Sequence, residues 1–153
     1  MTVATHRLGI IMHGVTGRMG LNQHLIRSIV AIRDQGGVTL PNSDRVMPDP
    51  ILVGRNAERI AALAREHGIA RHTTDLDMAL ANPDDTLFFD AATTQMRAEL
   101  ITRAIEAGKN IYCEKPVSDT LDKAVALAKL AKAHGIKHGV VQDKLFLPGL
   151  RKL

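Results

Sequence analysis

Short apolar runs alternate along the chain with amphipathic stretches, a pattern typical of strands and helices that follow one another. The first run, Leu8–Met12, is continuously apolar, as expected of a strand that is covered on both faces. Runs of similar length, bounded by glycine, proline or polar residues, predict the other strands. The predicted strands comprise residues 8–12, 51–53, 69–72, 87–89, 110–113 and 138–141.

Apolar residues that recur at helical spacing predict a helix after almost every strand. Asn56 and Asp75 are suitable N-cap residues, and glycines are placed to end several of these helices. The predicted helices comprise residues 19–32, 56–68, 75–80, 95–106 and 121–134. The segment 34–49 contains glycines and prolines in quick succession, and we interpret it as a long surface loop.

Strands that alternate with helices over the whole chain predict an α/β fold, in which a doubly wound and mostly parallel sheet carries helices on both faces. The chain of 153 residues is long enough for one such domain, with a sheet of about six strands. We expect residues 1–141 to form this domain. Residues 142–153 are expected to begin a connection into a second domain that is absent from this chain. Their apolar side chains would then be exposed and promote association, because the second domain would otherwise cover them. These are Leu145, Phe146, Leu147, Leu150 and Leu153.

A glycine cluster follows the first predicted strand and precedes the first predicted helix, with the spacing G-x-x-G-x-x-G. In this context the first glycine permits a tight turn, the second lets backbone N–H groups approach a pyrophosphate, and the third lets the helix pack closely. The alternative is a glycine-rich turn without a ligand, but the strand and helix around it favour a Rossmann-type dinucleotide site. Its candidate binding residues are Gly14, Thr16, Gly17, Arg18, Met19 and Gly20.

The end of the second predicted strand bears on the choice of dinucleotide. A carboxylate there would bind the adenine ribose and repel a 2′-phosphate, yet none occurs before Glu58. Arg55 can pair with a 2′-phosphate through its planar guanidinium, with Asn56 beside it and Arg18 as a second cation. The alternative is that Arg55 is a solvated loop cation. We therefore favour NADP over NAD.

Glu114, Lys115 and Pro116 follow the fifth predicted strand, at the edge where open α/β sheets hold their ligands. A lysine at this edge can donate or accept a proton, or polarise a substrate oxygen. Taken alone, a Lys-Pro pair is a common loop, so the assignment of Lys115 as a catalytic residue depends on the rest of the chain.

Element order, the glycine loop, the segment 90–94 and the segment 106–116 together resemble the glucose–fructose oxidoreductase/inositol dehydrogenase (Gfo/Idh/MocA) family. The resemblance implies a Rossmann domain that binds NAD or NADP, and a second domain that binds substrate and often builds the oligomer. It implies that Lys115 works in proton transfer at the substrate, that Glu114 lies beside the nicotinamide, and that Thr93 and Thr94 run along the cofactor.

Two features depart from the family pattern. The family often continues past its sixth strand with Asn-x-Arg-Phe, where this chain has the residues 143–146, Asp-Lys-Leu-Phe. The second domain, with its usual histidine and acidic partner, is absent. The sequence of the glycine loop also resembles that of dihydrodipicolinate reductase. The His-His-rich catalytic segment of that enzyme has no counterpart here, so this resemblance ranks lower.

The glycine loop, the segment Glu114–Pro116 and the family resemblance together predict the cofactor half of an NAD(P)-dependent oxidoreductase. This enzyme would act on the CH–OH group of a sugar, polyol or related small-molecule substrate. We expect the chain to bind cofactor but to be inactive alone, and to form a homo-oligomer, if any, mainly through the absent domain. A non-catalytic NADP-binding sensor is the alternative from a different class of protein.

Composition excludes several other classes of protein. Aromatic residues make up only 3% of the chain and the net charge is +4, so neither nucleic-acid stacking nor a basic stripe is expected. No apolar run approaches the roughly 20 residues that span a bilayer. The single cysteine, Cys113, is expected to be a buried strand residue and fits a cytoplasmic location. The seven histidines show no ligand spacing, so we expect no metal site.

Overall fold

A computed structural model describes residues 3–152, apart from the side chains of Leu145, Phe146 and Leu150. The strands are β1 (Thr5–His13), β2 (Val38–Thr39), β3 (Arg45–Val53), β4 (Arg71–Thr73), β5 (Asp85–Asp90), β6 (Asn110–Cys113) and β7 (His138–Val140). The helices are α1 (Gly20–Val30 continued by Ala31–Asp34), α2 (Ala57–Glu66), α3 (Leu76–Ala81), α4 (Thr94–Glu106) and α5 (Leu121–Ala133). Short 3₁₀ turns follow at Asp143–Phe146 and Leu150–Lys152.

The strands form one sheet in the order β2-β3-β1-β5-β6-β7, with β4 paired to the same outer edge of β3 as β2. All pairs are parallel except β2 with β3. The strands that follow β1 first extend the sheet to one side of it, with β3, and later to the other side, with β5. The strand order therefore reverses beside β1. A crevice opens at the carboxyl ends of the strands at such a switch point.

Helices cover both faces of the sheet, because alternate residues of each strand point to opposite sides. Ile11 of β1 packs with Phe88 in a core beneath α3, α4 and α5. Its neighbours Ile10 and Met12 pack on the other face with Leu25 of α1 and with α2. The doubly wound, mostly parallel fold predicted from the sequence is therefore confirmed.

The prediction of a loop over 34–49 is wrong. Helix α1 continues to Asp34, β2 lies within the segment, and β3 already begins at Arg45. Strand β3 pairs with β1 over nine residues despite Pro48 and Pro50. The prolines are tolerated because β2 contacts only the start of β3 and β4 only its end, which leaves its outer edge free between them.

Smaller differences concern other predicted elements. Helix α1 lies where predicted, but Gly20–Val30 is wound as a π-helix, with hydrogen bonds from residue i+5 to residue i such as Ala31 N to Ile26 O. The third predicted strand lies at 71–73 rather than 69–72, because the backbone N–H of Ile69 donates to Ala64 O at the end of α2, at 2.8 Å. Of the apolar tail, Leu147 is half exposed. The side chains of Leu145, Phe146 and Leu150, and all of Leu153, lie outside the described residues.

A polar network stabilises the amino-terminal edge of the sheet. The carboxylate of Asp85 is fully buried and accepts two hydrogen bonds of 2.8 Å from the guanidinium of Arg71 and one from Asn82. Burial raises the pKa of Asp85, but the contacts with Arg71, Arg7 and Asn82 outweigh it and hold the pKa below its ordinary value. The network lies at the edge opposite the crevice.

The variant Asp85→Asn tests this network. It removes the buried ionic partner of Arg71 and leaves only Asp49, at 3.2 Å, so we expect the free energy of unfolding in urea at pH 7 to fall by about 2 kcal/mol. Since the pKa of Asp85 is lowered in the folded chain, the stabilisation is complete above the unfolded pKa of about 3.9 and is lost as the pH falls through the folded pKa. The variant should therefore lose less stability in acid than the parent.

Asp77→Asn is the matched control, because Asp77 also pairs with an arginine, Arg103, but its side chain is 80% exposed. Exposed ion pairs contribute little to stability, so this variant should unfold at nearly the parent urea concentration. Equal effects of the two substitutions would contradict a special role for the buried network.

Candidate functional site

A cleft of about 260 Å³ lies at the carboxyl ends of β1, β3 and β5, where the strand order reverses. Five of the candidate residues from the sequence line it: Gly14, Thr16, Gly17, Arg55 and Thr93. The remaining lining residues come from the same strand ends and from the first turn of α4. They are His13, Val53, Gly54, Ala91, Ala92 and Met96.

Contacts within the protein require glycine at two of the three glycine positions of the loop, but not at the third. Gly14 has φ +80°, and a Cβ there would lie 2.4 Å from the backbone of Ala91 and Ala92. A Cβ on Gly20 would lie 2.4 Å from the carbonyl oxygen of Gly14. A Cβ on Gly17 meets only that same oxygen, at 3.4 Å, so no protein contact requires glycine at position 17. The open space above Gly17 fits a ligand that approaches the backbone closely.

Hydrogen bonds hold the loop in place. Gly17 N donates to Gly14 O at 3.2 Å, and the guanidinium of Arg59 in α2 donates to Thr16 O at 2.8 Å. The first N–H groups of a helix lack partners within the helix and carry partial positive charge, which favours a phosphate at the start of α1. The loop therefore fits a pyrophosphate, although its Arg59 contact was not predicted from the sequence.

The other cofactor candidates lie around the cleft. Arg55 lines it, directly after the end of β3. The side chain of Asn56 accepts a hydrogen bond from Arg59 N at 2.8 Å, which makes it the N-cap of α2. Arg18 and Met19 are exposed on the glycine loop, next to but not among the lining residues. Thr94 is the first residue of α4.

A buried ion pair joins three of the segments around the cleft. Arg97 of α4, only 2% exposed, donates through Nε to Asp90 Oδ2 at 2.9 Å, and through its other nitrogens to the carbonyl oxygens of Ala92 and Pro116. Asp90 Oδ1 accepts from Ala92 N at 3.1 Å and is hydrogen bonded to His13 Nδ1 at 3.0 Å. One guanidinium and one carboxylate thus connect the ends of β1, β5 and β6.

Electrostatics keep this carboxylate charged. Burial raises the pKa of Asp90, but hydrogen bonds from His13, Arg97 and the backbone of Ala92 outweigh it, so the pKa lies below its ordinary value. Sequence reasoning missed His13 and Arg97. Arg97 lies on the same buried face of α4 as Leu100 and Ile101, three and four residues later, so the helical periodicity was a signal for its burial, even though arginine is rarely buried.

The segment after β6 brings Glu114 and Lys115 to the same edge. Glu114 N donates to Asp90 O at 2.8 Å, and the glutamate is only 6% exposed. Lys115 is exposed, and within residues 3–152 its amino group forms no hydrogen bond or ion pair. The peptide bond between Lys115 and Pro116 is cis. The lysine is therefore free to contact a ligand over the end of the sheet.

Cys113 precedes this segment and is 1% exposed, so the prediction of a buried strand residue is confirmed. Burial raises the pKa of its thiol to about 11, which leaves it protonated and unreactive at neutral pH.

Across the part of the chain that the structure describes, no three side chains of His, Cys, Asp or Glu form a potential metal site. Over the same residues, no helix is long and apolar enough to cross a membrane.

Residues 12–141 match the family model described as "Oxidoreductase family, NAD-binding Rossmann fold". The chain belongs to the Gfo/Idh/MocA family. Its relatives in this family include the D-xylose dehydrogenase of Paenarthrobacter nicotinovorans, which is 49% identical over 144 residues. The alignment covers 94% of this chain but only 37% of that dehydrogenase, so the chain spans little more than a third of its relative.

Solved structures agree with the family assignment. A levoglucosan dehydrogenase in complex with NADH superposes with a TM-score of 0.78 at 27% identity, over 95% of this chain and 37% of that one. A 3-ketoreductase from Actinomadura kijaniata in complex with NADP superposes with a TM-score of 0.75, over 97% of this chain and 40% of that one. At an identity of 19%, this similarity shows a shared fold alone.

The glycine loop yields a direct test of the site. Gly17→Ala adds a methyl group that meets little protein but enters the ligand space, so we expect a folded chain whose Kd for NADPH rises at least about tenfold. Nicotinamide fluorescence measures the binding, and urea denaturation measures the fold.

Gly20→Ala provides the comparison, because its methyl group would collide with the backbone of Gly14. It should lower the free energy of unfolding as well as weaken binding. The assignment of the cleft would be wrong if Gly17→Ala bound NADPH as tightly as the parent chain.

Proposed function

We propose that this chain is the dinucleotide-binding half of an oxidoreductase that transfers hydride between NAD(P) and a hydroxyl or carbonyl carbon of a sugar or polyol. The observation that carries the proposal is the cleft with the open backbone at Gly17, which lies at the same edge of the sheet as the exposed Lys115, although Lys115 does not line the cleft itself. The relatives include a D-xylose dehydrogenase and a levoglucosan dehydrogenase, which supports a sugar as substrate.

In this proposal the backbone of Gly14–Gly20 binds the pyrophosphate, and Thr93 and Thr94 line the path towards the nicotinamide. Glu114, next to Asp90, borders the nicotinamide end. When bound, the nicotinamide supplies the carbon that accepts or returns the hydride. The fold contributes position and electrostatics rather than the redox chemistry itself.

Lys115 is proposed to manage the proton of the reacting hydroxyl group. When the substrate alcohol is oxidised, its carbon would lose a hydride to the nicotinamide, and its hydroxyl proton would pass to the neutral amine of Lys115, which becomes an ammonium. In the reverse direction this ammonium would return the proton to the carbonyl oxygen. The exposure of Lys115 and its lack of a partner within the described residues support this role, because the amino group does not have to leave another contact.

The cofactor is proposed to be NADP in preference to NAD. Strand β3 ends without a carboxylate, and Arg55 lines the cleft immediately after it. Arg59 lies close by, since its guanidinium reaches Thr16 O of the glycine loop. Two cations and no acidic group at the strand end favour a 2′-phosphate on the adenine ribose.

We also propose that residues 1–141 form the cofactor domain and that residues 142–153 lead towards a substrate-binding domain. The family match, which ends at residue 141, supports that boundary. Assembly through the second domain and a cytoplasmic location stay predictions.

Lys115→Ala tests the catalytic assignment in the whole protein that contains this domain. We expect kcat to fall by about 100-fold or more, because general acid–base catalysis contributes rate enhancements of this order. The Kd for NADPH should change little, since the lysine reaches the substrate rather than the pyrophosphate. Lys115→Arg should lose nearly as much activity, because a guanidinium keeps the charge but does not release a proton.

Lys123→Ala is the control and should keep the parent kcat, because Lys123 lies on α5 and pairs with Asp119. Normal turnover by Lys115→Ala would disprove the catalytic role. Binding of NADPH by a whole protein that transfers no hydride to any sugar would favour the sensor alternative.

Arg55→Met tests cofactor choice in the chain itself. Removal of the guanidinium should raise the Kd for NADPH about tenfold, the effect expected for loss of a charge-assisted hydrogen bond, and should leave the Kd for NADH within about twofold. Parallel titrations followed by nicotinamide fluorescence measure both constants. An equal effect on the two cofactors would rule out recognition of the 2′-phosphate by Arg55.

A further inference from the structure

His24 and Glu114 form a short contact between two distant parts of the chain. His24 Nε2 lies 2.6 Å from Glu114 Oε1, and the two side chains are 15% and 8% exposed. The imidazole also packs against the ring of Phe89, with 4.6 Å between the ring centres. A carboxylate can only accept hydrogen bonds, so the contact requires a proton on Nε2 of the imidazole.

The other oxygen of the same carboxylate contacts the proposed catalytic residue. Glu114 Oε2 accepts a hydrogen bond of 3.0 Å from the backbone N–H of Lys115. The backbone N–H of Glu114 is itself bonded to Asp90 O at 2.8 Å, which anchors this residue to the end of β5. The side chain of Glu114 thus connects the helix that follows the glycine loop to the backbone of Lys115.

We propose that His24 is a positioning residue for Lys115. Its imidazole donates to Glu114 and holds the carboxylate in the one orientation that also accepts the Lys115 N–H. The lysine side chain has no partner of its own within residues 3–152, so its placement depends on its backbone. Small displacements of a reacting group lower the rate strongly, which is why this support matters for turnover. The inference rests on the proposed role of Lys115.

The contact also accounts for a polar side chain on the core-facing side of α1. Leu25 of α1 packs in the core, yet its neighbour His24 lies against Phe89 and lines an apolar cavity of about 270 Å³. An imidazole without a hydrogen-bond partner in such apolar surroundings would lower the free energy of unfolding. The carboxylate of Glu114 provides that partner. A purely structural role would therefore predict loss of stability, whereas positioning predicts a local effect at Lys115.

Three variants separate these roles. His24→Leu and His24→Asn both remove the contact, since leucine has no donor and the asparagine amide is too short to reach. His24→Gln extends an amide N–H towards the position of Nε2 and should restore most of the function. Gln23→Leu is the control, on the exposed side of the same helix.

The first readout is amide hydrogen exchange at Lys115 in the chain alone. We expect exchange there to quicken about tenfold in His24→Leu and His24→Asn, while exchange in β1 and β5 stays at the parent rate. The second readout is turnover in the whole protein, where kcat should fall about tenfold with the KM for NADPH within about threefold. His24→Gln should return both values to within about threefold of the parent.

Parent-like exchange at Lys115 in either of the first two variants would overturn the proposal. So would exchange that quickens equally throughout β1 and β5, because that result shows loss of stability alone. If Lys115→Ala kept normal turnover, the proposed function would fail, but exchange at the Lys115 amide would still show whether His24 holds this segment.

Discussion

The cleft depends on the buried contact between Asp90 and Arg97. A carboxylate and a guanidinium without access to water are costly unless every polar atom has a partner, and here the partners are the segments that line or border the cleft. Asp90 contacts His13 before the glycine loop, while Arg97 binds carbonyl groups after β5 and after β6. Since these contacts are satisfied together, the loops that carry candidate functional residues hold a fixed arrangement relative to one another.

The two ends of the sheet use buried charge for different purposes. At the amino-terminal edge, the buried carboxylate of Asp85 is surrounded by cationic and amide side chains that bond to it directly. At the carboxyl-terminal edge, the charges of Asp90 and Arg97 are equally buried, but they position backbone that stays open to the cleft. The first arrangement stabilises the fold, and the second prepares a site for an anionic dinucleotide.

The sequence alone predicted much of this, because the strands, the glycine loop and the burial of Cys113 follow from local patterns. Contacts between distant residues were not predictable in the same way. Arg97 pairs with Asp90 only because α4 folds back over β5, and His24 meets Glu114 across 90 positions of the chain. The glycines and prolines of 34–49, Pro48 among them, indicated a loop, since nothing local reveals that one edge of β3 has no partner strand at that point.

We propose above all that a nicotinamide dinucleotide binds across the carboxyl-terminal edge of this sheet. Titration of the ¹⁵N-labelled chain with NADPH, followed by amide chemical shifts, tests it most directly. We predict the largest shifts in residues 13–20, 54–56, 90–94 and 114–115, with little change at residues 82–85 on the opposite edge. Saturable shifts centred on residues 82–85, or no saturable shifts in a folded chain, would contradict the claim.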